Sequence, residues 1–129
     1  MHDLSKFFVE KFEDLPCDEN TKAYIVSIFG KYKTSTYDLS KRSITLHFSE
    51  ARDKQDFLMF QTIAEWIFFC NSIFPEYLNN ASIDYYYSIG QLSFYTCYRM
   101  LNRQLKIYEE MSDQFVPLSL SAREIIRTR

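Results

Sequence analysis

Apolar residues recur at spacings of three and four along most of this chain, the period of helices that bury one face. Phe7, Phe8 and Phe12 predict a first helix over 4–14, and Leu15-Pro16 ends it, because the residue before a proline avoids the α region. Asp18 offers an N-cap for a second helix. That helix carries Ala23, Tyr24, Ile28 and Phe29 inward and weakens at Gly30, with Lys31 and Lys33 near its negative end. Residues 33–43 hold many hydroxyl side chains and few apolar ones, and read as the main loop. The run Ser43-Ile44-Thr45-Leu46-His47-Phe48 alternates as a strand would, but no second strand candidate exists to pair with it. A short helix capped by Ser43 is expected instead.

The stretch 56–74 is apolar on nearly every side and belongs in the middle of a bundle. Its polar members Gln61, Glu65 and Ser72 are four and seven residues apart, which aligns them in one narrow stripe. After Pro75 and a linker holding Asn79, Asn80 and Ser82, one long helix is expected over 83–111. Ile83, Tyr87, Gly90, Phe94, Cys97, Leu101 and Tyr108 form its seam, and the glycine there implies close approach of a neighbouring helix or ring. A last short helix follows Pro117, capped by Ser119 or Ser121, with Glu124 near its start and Arg127 and Arg129 near its end. Two glycines and three prolines leave little material for β-turns. The expected fold is all-α: one domain over 1–129, a bundle of four to five helices.

Composition adds to this picture and removes several function classes. Of 129 residues, 47% are hydrophobic and 18% aromatic, enough apolar area to offset ordering entropy. A formal net charge of −2 supplies no field for nucleic acid or an anionic membrane, so neither partner is expected. Lys31, Lys33, Lys41 and Arg42 alternate with Tyr32 and Tyr37, but read as a solvated loop, and Arg123, Arg127 and Arg129 suit a helix C-terminus. Cys17, Cys70 and Cys97 lie far apart with no C-x-x-C pair, which argues against disulfide and zinc frameworks and for a reducing, cytoplasmic setting. No basic start followed by an apolar stretch marks the N-terminus, and no run approaches the roughly 20 apolar residues that span a bilayer. His2 and His47 are the only histidines and join no ligand pattern, so neither metal nor cofactor is expected. Nucleophile elbows and phosphate loops are absent too.

One stretch resembles a known pattern. Ile63-Ala64-Glu65-Trp66-Ile67-Phe68-Phe69, then Ser72-Ile73-Phe74-Pro75-Glu76, then Ile83-Asp84-Tyr85-Tyr86, with Gly90 and Tyr95 beyond, is similar to a family of uncharacterised bacterial proteins. That family shows leucine-glycine-aspartate, two apolar residues, glycine-phenylalanine-phenylalanine, often proline-glutamate, aspartate-tyrosine-tyrosine, a later glycine and a later tyrosine. Ala64 and Ser72 stand where the family has glycines, and Glu65 where it has aspartate. The resemblance implies a bacterial helical protein and no chemistry.

Glu65 with Asp84, Tyr85, Tyr86 and Tyr95 is the strongest candidate site. Two carboxylates held among aromatic rings would have separated acidities, as a general acid and base pair do, which makes Glu65 and Asp84 the catalytic candidates. The plainer reading has Asp84 open a helix while Glu65 accepts hydrogen bonds from tyrosines or an arginine and fixes helix packing. A pocket exposing Glu65 would favour a small-molecule binder or enzyme, and a sealed, fully paired Glu65 the plainer reading. On balance the chain reads as a non-enzymatic interaction module that turns aromatic surface toward another protein or a copy of itself.

Overall fold

Among the described residues the chain forms seven α-helices and one 3-10 turn, with no strand. The computed structural model describes residues 4–33, 44–78 and 82–128. In chain order these are α1 (Leu4–Lys11), α2 (Glu19–Lys33), α3 (Ile44–Lys54), α4 (Phe57–Ile73), the 3-10 turn Pro75–Leu78, α5 (Ile83–Met100), α6 (Lys106–Asp113) and α7 (Phe115–Arg127). The proposed cap Ser43 and most of the expected loop lie outside the described residues.

The expected four to five helices are therefore seven, and the reasons are local. The single long helix expected over 83–111 is two, because Asn102 and Arg103 turn left-handed at φ 56 and 60. The Arg103 N–H then reaches back to the Tyr98 carbonyl at 2.9 Å and closes the end of α5. Asparagine tolerates that region far better than most residues, so the break needs no glycine or proline. The last helix begins at Phe115, two residues before Pro117. A proline in a first turn forfeits no intrahelical bond, because the N–H it lacks has no acceptor there. α2 continues through Gly30 to Lys33 without weakening, while Phe7 and Ala23 face outward.

Helix α4 is the centre, as its apolar circumference requires, and packs on α2, α3, α5 and α7. Ile63, Ala64, Ile67 and Phe68 are wholly buried, and the Asp56 side chain caps the helix by accepting from the Met59 N–H at 3.1 Å. Ser82 does the same for α5, accepting from the Tyr85 N–H at 3.2 Å. Such caps each contribute on the order of 1 kcal/mol. Phe115, the first residue of α7, is fully buried and meets Phe68, Phe94 and Tyr87 at centroid distances of 5.6, 5.9 and 6.4 Å. Its ring lies directly over Gly90. The close approach implied by that glycine thus comes from the start of α7.

The C-terminal end of α4 is tied to α7 by polar bonds. Asn71, fully buried, donates through Nδ2 to Ser119 Oγ at 2.8 Å. Arg123 donates through Nε and Nη2 to the Asn71 carbonyl at 2.9 and 2.6 Å, and through Nη2 to Asn71 Oδ1 at 2.9 Å. A guanidinium there satisfies a carbonyl from the last turn of α4 and opposes the negative end of its dipole. Arg123→Lys is expected to cost about 1.5–3 kcal/mol in urea unfolding, because an ammonium cannot reproduce the fork. An unchanged midpoint would mean that the fork contributes nothing.

Candidate functional site

Glu65 is a carboxylate on the most apolar helix of the chain, one turn beyond Gln61, and it faces α2. On α2 the residues Tyr24, Lys31 and Tyr32 are seven and eight apart, so all three project from the face that meets α4. Lys31 Nζ donates to Glu65 Oε1 at 2.8 Å, and the Tyr32 hydroxyl donates to the same oxygen at 3.1 Å. The Tyr24 hydroxyl donates to Oε2. Glu65 is 1% exposed, so its charge has left water entirely, and three donors replace the lost solvent. Lys31 keeps about half of its side chain in solvent. The ion pair therefore has one buried and one wet end.

A second layer surrounds this group. The Tyr24 ring lies edge-on to Tyr108 and Phe94 at 5.6 and 6.1 Å. Gln61 Nε2 donates to the Tyr108 hydroxyl at 2.7 Å, which occupies another member of the polar stripe. Ser72, the third member, donates to the Phe68 and Ser119 carbonyls at 2.9 and 3.2 Å. One stripe thus serves three neighbours: Gln61 meets α6, Glu65 meets α2 and Ser72 meets α7. Burial first, then the Glu65 charge, pushes the Tyr24 phenol far above its ordinary value. Burial also raises Tyr108, against the opposing pull of the Gln61 bond. Cys97 is pushed up to about 12 by burial and by Glu65, and Cys17 to about 11 by burial first. At pH 8 neither thiol presents much thiolate, so iodoacetamide is expected to label both slowly in the native protein and readily in denaturant. Rapid native labelling of Cys97 would contradict its placement.

The other candidates from the sequence lie elsewhere. Asp84 is exposed in the first turn of α5, where a carboxylate complements the helix dipole. The half-buried Tyr85 pairs its hydroxyl with that of Thr45 on α3, and Tyr86 is a core residue at 4% exposure. Tyr95 is 37% exposed and accepts from Arg103 Nη2 at 3.4 Å beside Tyr98. Every donor to Glu65 described above comes from α2, so the structure does not gather Glu65 with Asp84, Tyr85, Tyr86 and Tyr95. The spacing of Tyr24, Lys31 and Tyr32 was a usable signal for its partners, but only once α2 is known to face α4. The Asn71–Ser119–Arg123 cluster had no signal beyond two polar residues in apolar surroundings. Among the described residues no three His, Cys, Asp or Glu side chains gather as metal ligands; His47 is buried in α3 and His2 lies outside them.

Concave surface is found on the outside of the molecule, on both flanks of α1. One pocket of about 190 Å³ is lined by Phe7, Phe8, Lys11, Lys33, Ile73 and Ile126. A larger groove of about 490 Å³ runs between α1 and α2 over Val9, Phe12, Ala23 and Val26. Neither is lined by Glu65. The chain matches no family model, no curated protein and no solved structure.

Proposed function

We propose that this chain is a non-enzymatic protein-interaction module, with the Glu65 cluster as a structural clamp between α2 and α4 and α1 as the element that meets a partner. The observation that carries this reading is the sealed carboxylate: Glu65 is 1% exposed and both of its oxygens already accept. A general acid or base must reach a proton on its substrate, and a group with no exposed surface and no spare oxygen has no path to one. Apolar side chains remain in water on α1 instead, where Phe7 is 45% and Val9 56% exposed beside the two concavities. Large residues so placed mark contact surfaces when they border concave apolar ground. Three free thiols fit a reducing, cytoplasmic setting. No helix among the described residues is long and apolar enough to cross a membrane.

The test is affinity purification from the native cell with the parent chain and with Phe7→Ser/Val9→Ser as paired baits. A protein enriched by the parent and lost with the variant is expected, the variant keeping the parent's helical circular dichroism. Equal recovery by both baits, or no enrichment by either, would defeat the reading.

A further inference from the structure

The groove between α1 and α2 has a floor and a rim of different character. Val9, Phe12, Ala23 and Val26 supply the floor, with Val9 and Ala23 open to solvent. Glu10, Glu13 and Glu19, all exposed, supply the rim. The single cation among the lining residues is Lys22, and its ammonium is engaged. It donates to the Glu13 carbonyl at 2.7 Å and to Glu19 at 2.9 Å, which leaves its side chain only 18% exposed. What the groove presents outward is an apolar strip bordered by negative charge.

That character continues past the α1–α2 turn. The adjoining concavity of about 380 Å³ is lined by Asp18, Glu109, Glu110 and Asp113 against one cation, Lys106, together with Pro16 and Gln114. The chain as a whole carries a formal charge of only −2, so the acid gathered in these two concavities is balanced by base elsewhere. A charged rim around an apolar floor selects a partner of the opposite sign and speeds the encounter by steering. The floor is built by two neighbouring helices, and a third helix lying in the cleft between them would bury the strip by the packing that helices use within a core.

Resting on the interaction reading above, we infer that the α1–α2 groove docks a basic amphipathic helix of a partner protein. The apolar face of that helix covers Val9 and Ala23, and lysines or arginines along its flanks meet Glu10, Glu13 and Glu19. Two kinds of side chain then decide affinity in different ways. Val9 acts through buried area and is insensitive to salt, whereas the glutamates act through charge and are screened. A second copy of this chain is the competing occupant, and it would show itself as a dimer.

The experiment titrates the intact chain against a fluorescent 15-residue helix with leucines at i, i+3, i+4 and i+7 and lysines on its flanks. Its counterpart carries glutamates in place of the lysines. The basic probe should bind saturably and weaken as salt rises, and the acidic probe should bind at least tenfold less well. Val9→Glu should lose at least tenfold, and Glu10→Lys/Glu13→Lys should reverse the preference between the probes. Equal binding of both probes, binding indifferent to Val9→Glu, or a dimer in sedimentation that Val9→Glu dissolves would each overturn the inference. A photo-cross-linking residue placed in turn at Val9 and at Phe7, on the opposite flank of α1, in the native cell separates this inference from the reading beneath it. Adducts at Phe7 with none at Val9 overturn the groove and leave α1 as the element that meets a partner, whereas no adduct at either position overturns both. An adduct at Val9 that maps to a basic amphipathic segment supports the inference.

Discussion

Gly90→Ala is expected to destabilise the protein by about 1–3 kcal/mol, although alanine is the better helix former by roughly 1 kcal/mol. A Cβ at position 90 would lie 2.7 Å from Cε2 and 3.1 Å from Cε1 of Phe115, closer than side-chain carbons tolerate. The ring cannot step aside cheaply. Phe115 is fully buried and held by Phe68, Phe94 and Tyr87, so a shift of one ring disturbs three others. Gly90→Leu should fail to fold. Urea unfolding of Gly90→Ala checks the sign, and a variant more stable than the parent would mean that Phe115 does not cover the glycine. The pair Gly90→Ala/Phe115→Leu sharpens the test, because the smaller side chain makes room for the methyl group. The double variant should cost less than the sum of the singles, with a coupling of about 0.5–3 kcal/mol.

Tyr24→Phe is expected to cost about 2–3 kcal/mol, and more than Lys31→Met. Removing the Tyr24 hydroxyl takes the donor from Glu65 Oε2 and leaves a charged oxygen buried without a hydrogen bond among the contacts described. Removing the Lys31 ammonium takes a charge that already stands half in water, and Tyr32 still donates to Oε1. Calorimetric melting of the two variants gives the order, and a larger loss for Lys31→Met would show that the ion pair rather than the phenol holds the clamp. The same cluster sets an alkaline limit. Tyr24 and Tyr108 keep their protons in the folded state above the ordinary tyrosine value of 10.0, while the unfolded chain releases them there. Their contribution is whole below about pH 10 and is lost as pH rises further, so stability should fall on the alkaline side. In an ultraviolet titration both phenols should ionise together with unfolding rather than before it. A smooth titration of every tyrosine near pH 10 in a folded chain would contradict their burial.

The extents of α2, α4 and the start of α5 were legible because helix period and the proline and serine signals that bound a helix are short-range properties of the chain. So was the central place of α4, since a helix apolar all round has nowhere else to go. The sequence also marked Glu65 as a polar group that would need donors in an apolar helix, and Gly90 as a place of close approach. It could not say which donors or which neighbour. The same apolar period ran on from α5 into α6 and hid the reversal at Asn102 and Arg103, which rests on two polar residues accepting positive φ. The onset of α7 at Phe115 was hidden too, because Pro117 fits a first turn as well as the residue before a helix. Tertiary packing alone decided that α2 rather than the start of α5 faces Glu65, and that Phe115 rather than α4 covers Gly90. It also left α1 with Phe7 and Val9 in water. Periodicity records which face of a helix is buried, but the identity of the surface that covers it is a long-range property that only the assembled chain specifies.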